Sequence, residues 1–219
     1  MRKVLYLVLL VWTVAADVPT LEERNKIMEW HTQVRESVEP TASNMMFMSY
    51  STELESLAQG YIVNCSFAPP DQNFLPENVS EIPHMSIGAR PTFDEMLKEF
   101  ASEKQFYDYE NNRCTDSCYD YKQMVSAETS AVGCIQRQCT SQTVDAQAMY
   151  LTMCLYKPSD KRLNERPYKS GASCSECPEG YTCRSKQCFF NSTSRNSISG
   201  AFWLIAISNL LFLSVSSTA

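Results

Sequence analysis

Residues 118–134 read CYDYKQMVSAETSAVGC, and this segment decides the fold that we expect for the whole chain. Two cysteines enclose tyrosine, aspartate, glutamine and glutamate side chains, a density of polar groups that is typical of an active site. The segment nevertheless contains no histidine, and the chain of 219 residues contains only two. The segment is therefore a catalytic site, a former catalytic site or part of the scaffold, and the flanking sequence has to decide.

The sequence after this segment predicts two β-strands. Residues 131–136 form a short extended stretch. In residues 148–156, methionine and leucine alternate with tyrosine, threonine and cysteine, so both faces of the strand are largely apolar. A strand without a polar face is covered on both sides. We therefore expect this strand to lie inside a layered structure.

Three helices are predicted before the segment. Thr20, Thr52 and Thr92 each precede a glutamate by three residues, which is the pattern of a capping box. Apolar residues at helical spacing follow each threonine, and the first helix is expected to stop at Pro40. Helices followed by strands, with disulfides across them, are typical of an α+β layered domain.

Both ends of the chain are predicted to be processing signals. Residues 1–16 combine a basic start, a short apolar run and small residues before a cut, as a secretory signal peptide does. Residues 201–219 form an apolar tail after a polar spacer at 189–200, which predicts a glycolipid (GPI) anchor attached at Ser192. A single membrane-spanning helix is the alternative. The protein is then extracellular and, through the anchor, bound to the cell surface.

All ten cysteines lie between these ends, and an even number in a secreted chain predicts five disulfides rather than a zinc site. The last four lie in residues 174–188, which are too short to build a core, so we interpret them as a disulfide-stapled hinge module. Residues 159–173 are interpreted as the linker to it.

Three sites in the chain match the acceptor pattern for N-glycosylation. We predict glycosylation at Asn78 and Asn191, which lie in polar sequence. The acceptor at Asn64 is disfavoured, because we expect it on a helix beside a disulfide.

Six segments resemble motifs of the CAP superfamily, which includes cysteine-rich secretory, antigen-five, pathogenesis-related and venom allergen-like proteins. In chain order they are HTQVR (31–35), LESLAQGYIVNC (54–65), PENVS (76–80), the opening segment (118–134), MCLYKP (153–158) and RPYKSGASCSECPEGYTC (166–183). The resemblance implies a three-layer α-β-α sandwich over residues 17–158, followed by the hinge. It also implies the disulfide pairs Cys65–Cys139, Cys134–Cys154, Cys114–Cys118, Cys174–Cys183 and Cys177–Cys188.

The resemblance further implies a cleft in which many members carry two histidines and two carboxylates able to hold zinc. Glu77 and Glu103 match the two carboxylates, but Asp120 and Pro69 stand where the histidines would be. Three acids without an imidazole disfavour zinc and, if any cation binds, favour Ca²⁺ or Mg²⁺. Alternatively, Asp120 points to solvent and the glutamates only accept backbone hydrogen bonds. We expect no cofactor.

Three functions compete for this chain. Some members of the superfamily bind sterols through an aromatic loop, and the matching residues here are Phe106, Tyr107, Tyr109, Tyr119 and Tyr121. Alternatively, these rings pack into the core. The second function is recognition of an extracellular protein. The third, metal-dependent hydrolysis, is disfavoured because His31, on the first helix, and His84, in a predicted loop, form no triad.

The charge of the chain excludes one class of partner. The net charge is −6 and no basic stripe is visible, so we expect no nucleic-acid binding. We therefore predict a non-enzymatic extracellular protein that binds either a sterol or other lipid, or a protein receptor.

Overall fold

The computed structural model describes residues 18–68, 71, 73–140, 147–159 and 165–190. In chain order its elements are α1 (Leu21–Glu36), β1 (Ser49–Tyr50), α2 (Thr52–Tyr61), β2 (Ser80–Ile87), α3 (Phe93–Ser102), a 3-10 helix (Glu103–Phe106), β3 (Tyr107–Asp108), β4 (Arg113–Cys114), α4 (Tyr119–Met124), β5 (Ala131–Thr140), β6 (Ala148–Lys157), β7 (Tyr181–Arg184) and β8 (Gln187–Phe190). The central sheet has the strand order β1-β5-β6-β2. Strand β6 is antiparallel to both neighbours, and β1 is parallel to β5.

The alternating apolar residues of β6 separate two cores. Cys154 and Tyr156 belong to a cluster with buried residues of α1, α3 and α4. Leu151, Met153 and Leu155 point to the other face and pack with buried residues of α2. The sheet is therefore covered by helices on both sides, and the predicted three-layer α-β-α sandwich is confirmed.

The helix starts follow the predicted chemistry at two of three positions. Thr20 and Thr92 each form the complete capping box. At α2 the prediction is wrong, because Ser51 and not Thr52 caps the helix and accepts from the amide of Leu54 at 3.2 Å. The amide of Ser51 also donates to the carbonyl of Val132 on β5 at 2.7 Å. This bond to β5 holds Ser51 in the capping position, one residue before Thr52.

Strand β2 corrects a second prediction. His84 lies on this strand rather than in a loop, in a register that runs from Ser80 opposite Tyr156 to Ile87 opposite Met149. Pro83 breaks the sequence signal for a strand, but a proline is tolerated where the strand forms the edge of a sheet. Strand β5 is also longer than predicted and extends to Thr140.

Five disulfides cross-link the described residues in the pairs that the resemblance implies. The Cys134–Cys154 bond joins directly opposed residues of β5 and β6. The Cys65–Cys139 bond joins the chain after α2 to the end of β5. Both therefore tie the sheet to itself or to its helical cover.

The cysteine-rich hinge module is docked on the sandwich. The amide of Cys188 donates to the carbonyl of Met45 at 2.6 Å, and the amide of Phe47 donates to the carbonyl of Cys188 at 2.9 Å. The buried Arg35 of α1 donates to the side chain of Gln187 at 3.3 Å and to the carbonyl of Ser126 at 2.8 Å. One guanidinium therefore holds both the hinge and the loop after α4.

Several predictions lie outside the described residues. These are the signal peptide, the anchor and its attachment at Ser192, the acceptor Asn191, and Pro69. Within the part of the chain that is described, no helix is both long and apolar enough to cross a membrane.

Candidate functional site

Glu103 and Asp120 meet where α3 ends and α4 begins. Glu103 is the C-cap of α3 and the first residue of the 3-10 helix. One oxygen of its carboxylate accepts from the amides of Asp120 at 2.8 Å and Tyr121 at 3.1 Å. The first amides of a helix have no partner within the helix, and an anion there is stabilised by the helix dipole. Glu103 thus caps α4 while it faces the cleft.

Asp120 is half-buried beside other acids. Burial, followed by the charges of Glu103 and Glu99, raises the pKa of Asp120 to about 7. A histidine at this position would be attracted to the two glutamates, whereas an aspartate is repelled by them. Near neutral pH this group therefore exchanges a proton.

The sequence prediction of the third acid needs a correction. Glu77 was expected to join Glu103 and Asp120, but it is exposed and makes no hydrogen bond or ion pair within the described residues. The charges that act on Asp120 come from Glu103 and Glu99 instead. Glu99 lies one helical turn before Glu103, so the i, i+4 spacing on a predicted helix was the signal that could have identified it.

Strand β2 contributes a histidine, His84, that lies beside one of these acids. The Nε2 atom of His84 lies 3.5 Å from a carboxylate oxygen of Glu99. Its ring packs edge-on against Phe100 with 5.9 Å between centroids, and its Nδ1 atom is buried without a partner in the described structure. The alternation along β2 places His84 on the same face as the buried Ile82, but this signal required the strand to be recognised.

The other histidine, His31, has a structural role. His31 is buried in α1, where its Nδ1 lies 2.7 Å from the carbonyl of Ile27 and its Nε2 lies 3.1 Å from the hydroxyl of Tyr156. A carbonyl only accepts, so Nδ1 donates and Nε2 accepts from the phenol. Burial lowers the pKa of His31 to about 4, which keeps the ring neutral. It therefore acts as a fixed hydrogen-bonding bridge between α1 and β6.

No metal-binding cluster is evident at this cleft. Among the described residues, no group of three or more histidine, cysteine, aspartate or glutamate side chains is arranged to hold an ion. The donor set agrees poorly with zinc, because His84 meets Glu99 while Glu103 is bonded to two amides. The arrangement can accept or release a proton, but it offers no activated nucleophile beside a base.

Of the five predicted sterol-binding rings, two are buried, two half-buried and one exposed. Tyr109 and Tyr121 are 8% and 2% exposed. Tyr109 stacks on Tyr168 with 4.7 Å between centroids, and its hydroxyl donates to the carbonyl of Tyr168 at 2.8 Å. The ring of Tyr107 packs against both Tyr109 and Tyr121. These three tyrosines therefore form one packed cluster with Tyr168.

The remaining two rings lie nearer to solvent. Tyr119 is 43% exposed at the start of α4, and Phe106 is half-buried. Burial, followed by the charges of Glu81 and Asp120, raises the pKa of Tyr119. Tyr119 is therefore the ring of the five that borders the acidic cleft.

A cavity of about 740 Å³ opens at a different place, between the sandwich and residues 165–170, which precede the hinge module. Residues 165–170 form one wall, and the other walls come from the β3–β4 hairpin and the loop between α4 and β5. The lining is mostly polar and includes Asn44, Asn112 and Ser126. No local sequence pattern predicts this cavity, because its walls come from segments far apart in the chain.

The charges at this cavity do not balance. Arg166 donates to the carbonyls of Tyr109 at 3.0 Å and Glu110 at 2.6 Å, and Lys169 pairs with Glu176 at 2.9 Å. In contrast, the carboxylates of three lining residues make no hydrogen bond or ion pair within the described structure; they are Glu110, Glu128 and Glu165. Among the described lining residues, three carboxylates outnumber two cationic side chains, so this part of the lining carries a small excess of negative charge.

Sequence comparison finds relatives of this chain that cover most of its length. Human peptidase inhibitor 16 is 31% identical over 188 residues, which are 84% of this chain and 40% of that protein, so the chain spans less than half of that relative. Peptidase inhibitor 15 of Xenopus laevis is 32% identical over 188 residues, covering 77% of this chain and 71% of that protein.

Solved structures and family models point the same way. The structure of Schistosoma mansoni venom allergen-like protein 4 superposes with a TM-score of 0.55 at 25% identity, covering 69% of this chain and 97% of that one. Residues 28–156 match the model that describes the cysteine-rich secretory protein family, CAP. The match spans more than half of the chain and includes the opening segment, both core faces of β6 and the acidic cleft, so this chain belongs to the CAP family.

Proposed function

We propose that this chain is a non-enzymatic extracellular protein that binds a protein partner. The observation that carries the proposal is the polar cavity between residues 165–170 and the sandwich, where three lining carboxylates make no hydrogen bond or ion pair within the described structure. Ligand pockets orient their ligands through a few placed polar groups, and a cavity lined mainly by such groups suits a peptide segment better than a sterol.

The chemistry of the family cleft supports a non-enzymatic role. Glu103 is bonded to the amides of α4, and Asp120 replaces the histidine that a metal or a nucleophile would need. Asp120 can exchange a proton near neutral pH, but catalysis would also require an activated nucleophile or a bound metal. Among the described residues, no group of side chains beside it is arranged to hold a metal ion.

The names of the relatives support protein binding. Two of them are named peptidase inhibitors, and an inhibitor of a peptidase acts by occupying another protein. Because the chain covers 40% of the human relative, inhibition of a peptidase is one outcome of the test rather than the proposal itself.

Affinity capture with matched variants tests this function. The purified protein is immobilised and exposed to the extracellular fluid of its native source, beside a cavity variant (Glu110→Gln, Glu128→Gln, Glu165→Gln) and a cleft variant (Asp120→Asn). We expect a protein that is retained by the wild type and the cleft variant and lost by the cavity variant. Equal retention by all three forms, or loss only in the cleft variant, would refute the assignment.

A lipid is the second candidate, favoured by the exposed ring of Tyr119 and the half-buried rings of Phe106 and Tyr107 in the same stretch of chain. These edges could contact the flat face of a sterol. Labelled cholesterol should then be retained by the purified protein and lost on Tyr119→Ala, which disturbs no buried ring. Retention that survives Tyr119→Ala and Tyr107→Ala would remove this loop from the lipid hypothesis.

Placement on the cell surface by a glycolipid anchor at Ser192 belongs to the same proposal. It rests on the small residues, polar spacer and apolar tail of the sequence. A phospholipase that cleaves such anchors should release the protein from intact cells. Protein that stays on the membrane after this treatment would favour a spanning helix.

A further inference from the structure

The sequence predicts that Asn64 lies on a helix, but the structure places it elsewhere. It begins the acceptor sequence Asn64-Cys65-Ser66, but α2 ends at Tyr61 and Ile62 is its C-cap. Asn64 therefore lies in the turn after the helix. It is exposed, and its side chain makes no hydrogen bond within the described part of the chain. The helix, which argued against modification, does not include this residue.

The surface around Asn64 is unusually apolar for a turn. Val63 is 48% exposed, and Phe67, three residues after Asn64, is 38% exposed. The other acceptor in the described structure, Asn78, has no exposed apolar residue directly beside it in the chain. It lies between the exposed Glu77 and the fully buried Val79. Two exposed apolar side chains therefore lie near Asn64 along the chain, and exposed apolar surface favours association.

We propose that Asn64 carries an N-linked oligosaccharide, which covers the apolar surface of Val63 and Phe67. The proposal rests on the extracellular placement in the proposed function. In the transfer step, the side-chain nitrogen of Asn64 forms a bond to C1 of the first sugar of a polyprenyl-diphosphate-linked oligosaccharide. The bond from that carbon to the phosphate oxygen breaks, the lipid diphosphate leaves, and the nitrogen loses one proton.

The disulfide at Cys65 forms too late to block this step. Its partner, Cys139, lies 74 residues further along the chain. At about 5–20 residues per second, synthesis of that distance takes roughly 4–15 s. During this interval Cys65 has no native partner, so the acceptor is presented as an unconstrained chain. The folded protein then keeps Asn64 at the surface, where a glycan fits without repacking.

Glycopeptide mass spectrometry on the full chain, secreted from a eukaryotic cell, tests the proposal. We expect a glycan on Asn64 and conversion of this residue to aspartate after enzymatic deglycosylation. Asn64→Gln should remove one glycan from the intact mass and increase the aggregated fraction in size-exclusion chromatography. Asn78→Gln is the matched control and should leave the aggregated fraction unchanged.

The outcomes separate this inference from the proposed function. An unmodified Asn64 together with a glycan on Asn78 or Asn191 overturns the inference and leaves the extracellular placement intact. The absence of glycans from all three acceptors in the secreted protein overturns the inference alone, whereas retention of the unmodified chain in the cytosol overturns both. A glycan on Asn64 that appears only in a Cys139→Ser variant also overturns the inference for the native chain, because the disulfide would then be the stronger competitor.

Discussion

At the scale of single residues, Asp120 explains how this cleft differs from a metal site. It lies at the start of α4, where burial, followed by the charges of Glu103 and Glu99, raises the pKa of its carboxylate. A protonated histidine here would be attracted to the negative charges of its neighbours. An ionised aspartate is repelled by them until it binds a proton. The aspartate therefore binds a proton at the position where the family resemblance implies a histidine that helps to hold a cation.

This proton gives a testable dependence of stability on pH. The pKa of Asp120 is raised to about 7 in the folded protein, so between pH 4 and 7 the folded state holds a proton that the unfolded state has released. Stability is then lost as the pH rises through this window. Asp120→Asn should be more stable than the wild type at pH 8, by about 1–2 kcal/mol after allowance for partial exposure.

Thermal unfolding at several pH values measures the difference. The two proteins should converge below pH 4, where the aspartate is protonated in both states. Glu179→Gln, an exposed carboxylate of the hinge, serves as the control and should follow the wild type. A constant difference between Asp120→Asn and the wild type from pH 4 to 8 would contradict the account.

Gly133 shows why the segment at residues 118–134 ends in Gly-Cys. A Cβ atom at Gly133 would lie 2.4 Å from the amide nitrogen of Glu55 and 2.4 Å from the carbonyl oxygen of Ser51. Both are backbone atoms of α2 or its cap, so no side chain can move aside. The glycine is therefore required for the close approach of α2 to the sheet.

Gly133→Ala should lower the free energy of unfolding by about 3 kcal/mol or more, measured by denaturant titration. Gly60→Ala is a suitable control, because its Cβ would meet only the ring of Phe74, at 2.9 Å. A half-buried ring can move, and alanine gains up to about 1 kcal/mol of helix propensity over glycine in α2. Equal losses for the two variants would show that the backbone contact is not limiting.

At the scale of elements, the helix α4 depends on a carboxylate from another helix. It has only six residues, and its N-cap residue Cys118 makes no side-chain capping bond. The carboxylate of Glu103 supplies the missing acceptor for two amides. The start of α4 is thus stabilised from outside the helix.

Glu103→Ala should destabilise the protein by about 2–3 kcal/mol, because two amides lose a charged acceptor. Hydrogen exchange should speed up at the amides of Asp120 and Tyr121. Glu99→Ala removes a neighbouring charge without removing a backbone bond and should leave exchange at α4 unchanged. Similar exchange in both variants would mean that charge, rather than capping, accounts for the effect.

The elements also show what the sequence could predict. The capping boxes at Thr20 and Thr92 and the two-sided pattern of β6 are local signals, and the structure agrees with them. Strand β2 was missed because Pro83 interrupts it and its pairing with β6 is non-local. The sequence pattern pointed to Glu77 rather than Glu99 as the third acid for the same reason. The exposure of Glu77 and the effect of the Glu99 charge on Asp120 depend on how separate elements pack.

At the scale of the whole molecule, the hinge completes the structure. Arg35, Gln187 and the backbone bonds at Cys188 join it to the sandwich, and residues 165–170 close one side of the polar cavity. A cavity formed by two parts of the chain is a common place for ligands to bind. Under the proposed function, the packing of residues 165–170 on the sandwich and the binding of a partner are therefore coupled.

Site-specific photo-crosslinking tests the central claim, that a protein partner binds at this cavity and not at the family cleft. A photo-reactive amino acid replaces Glu128 in the cavity or Tyr119 beside the cleft, and the protein is illuminated in its native extracellular fluid. The account predicts a cross-linked protein from position 128 that is absent from position 119. A product from position 119 alone, or none from position 128, would contradict it.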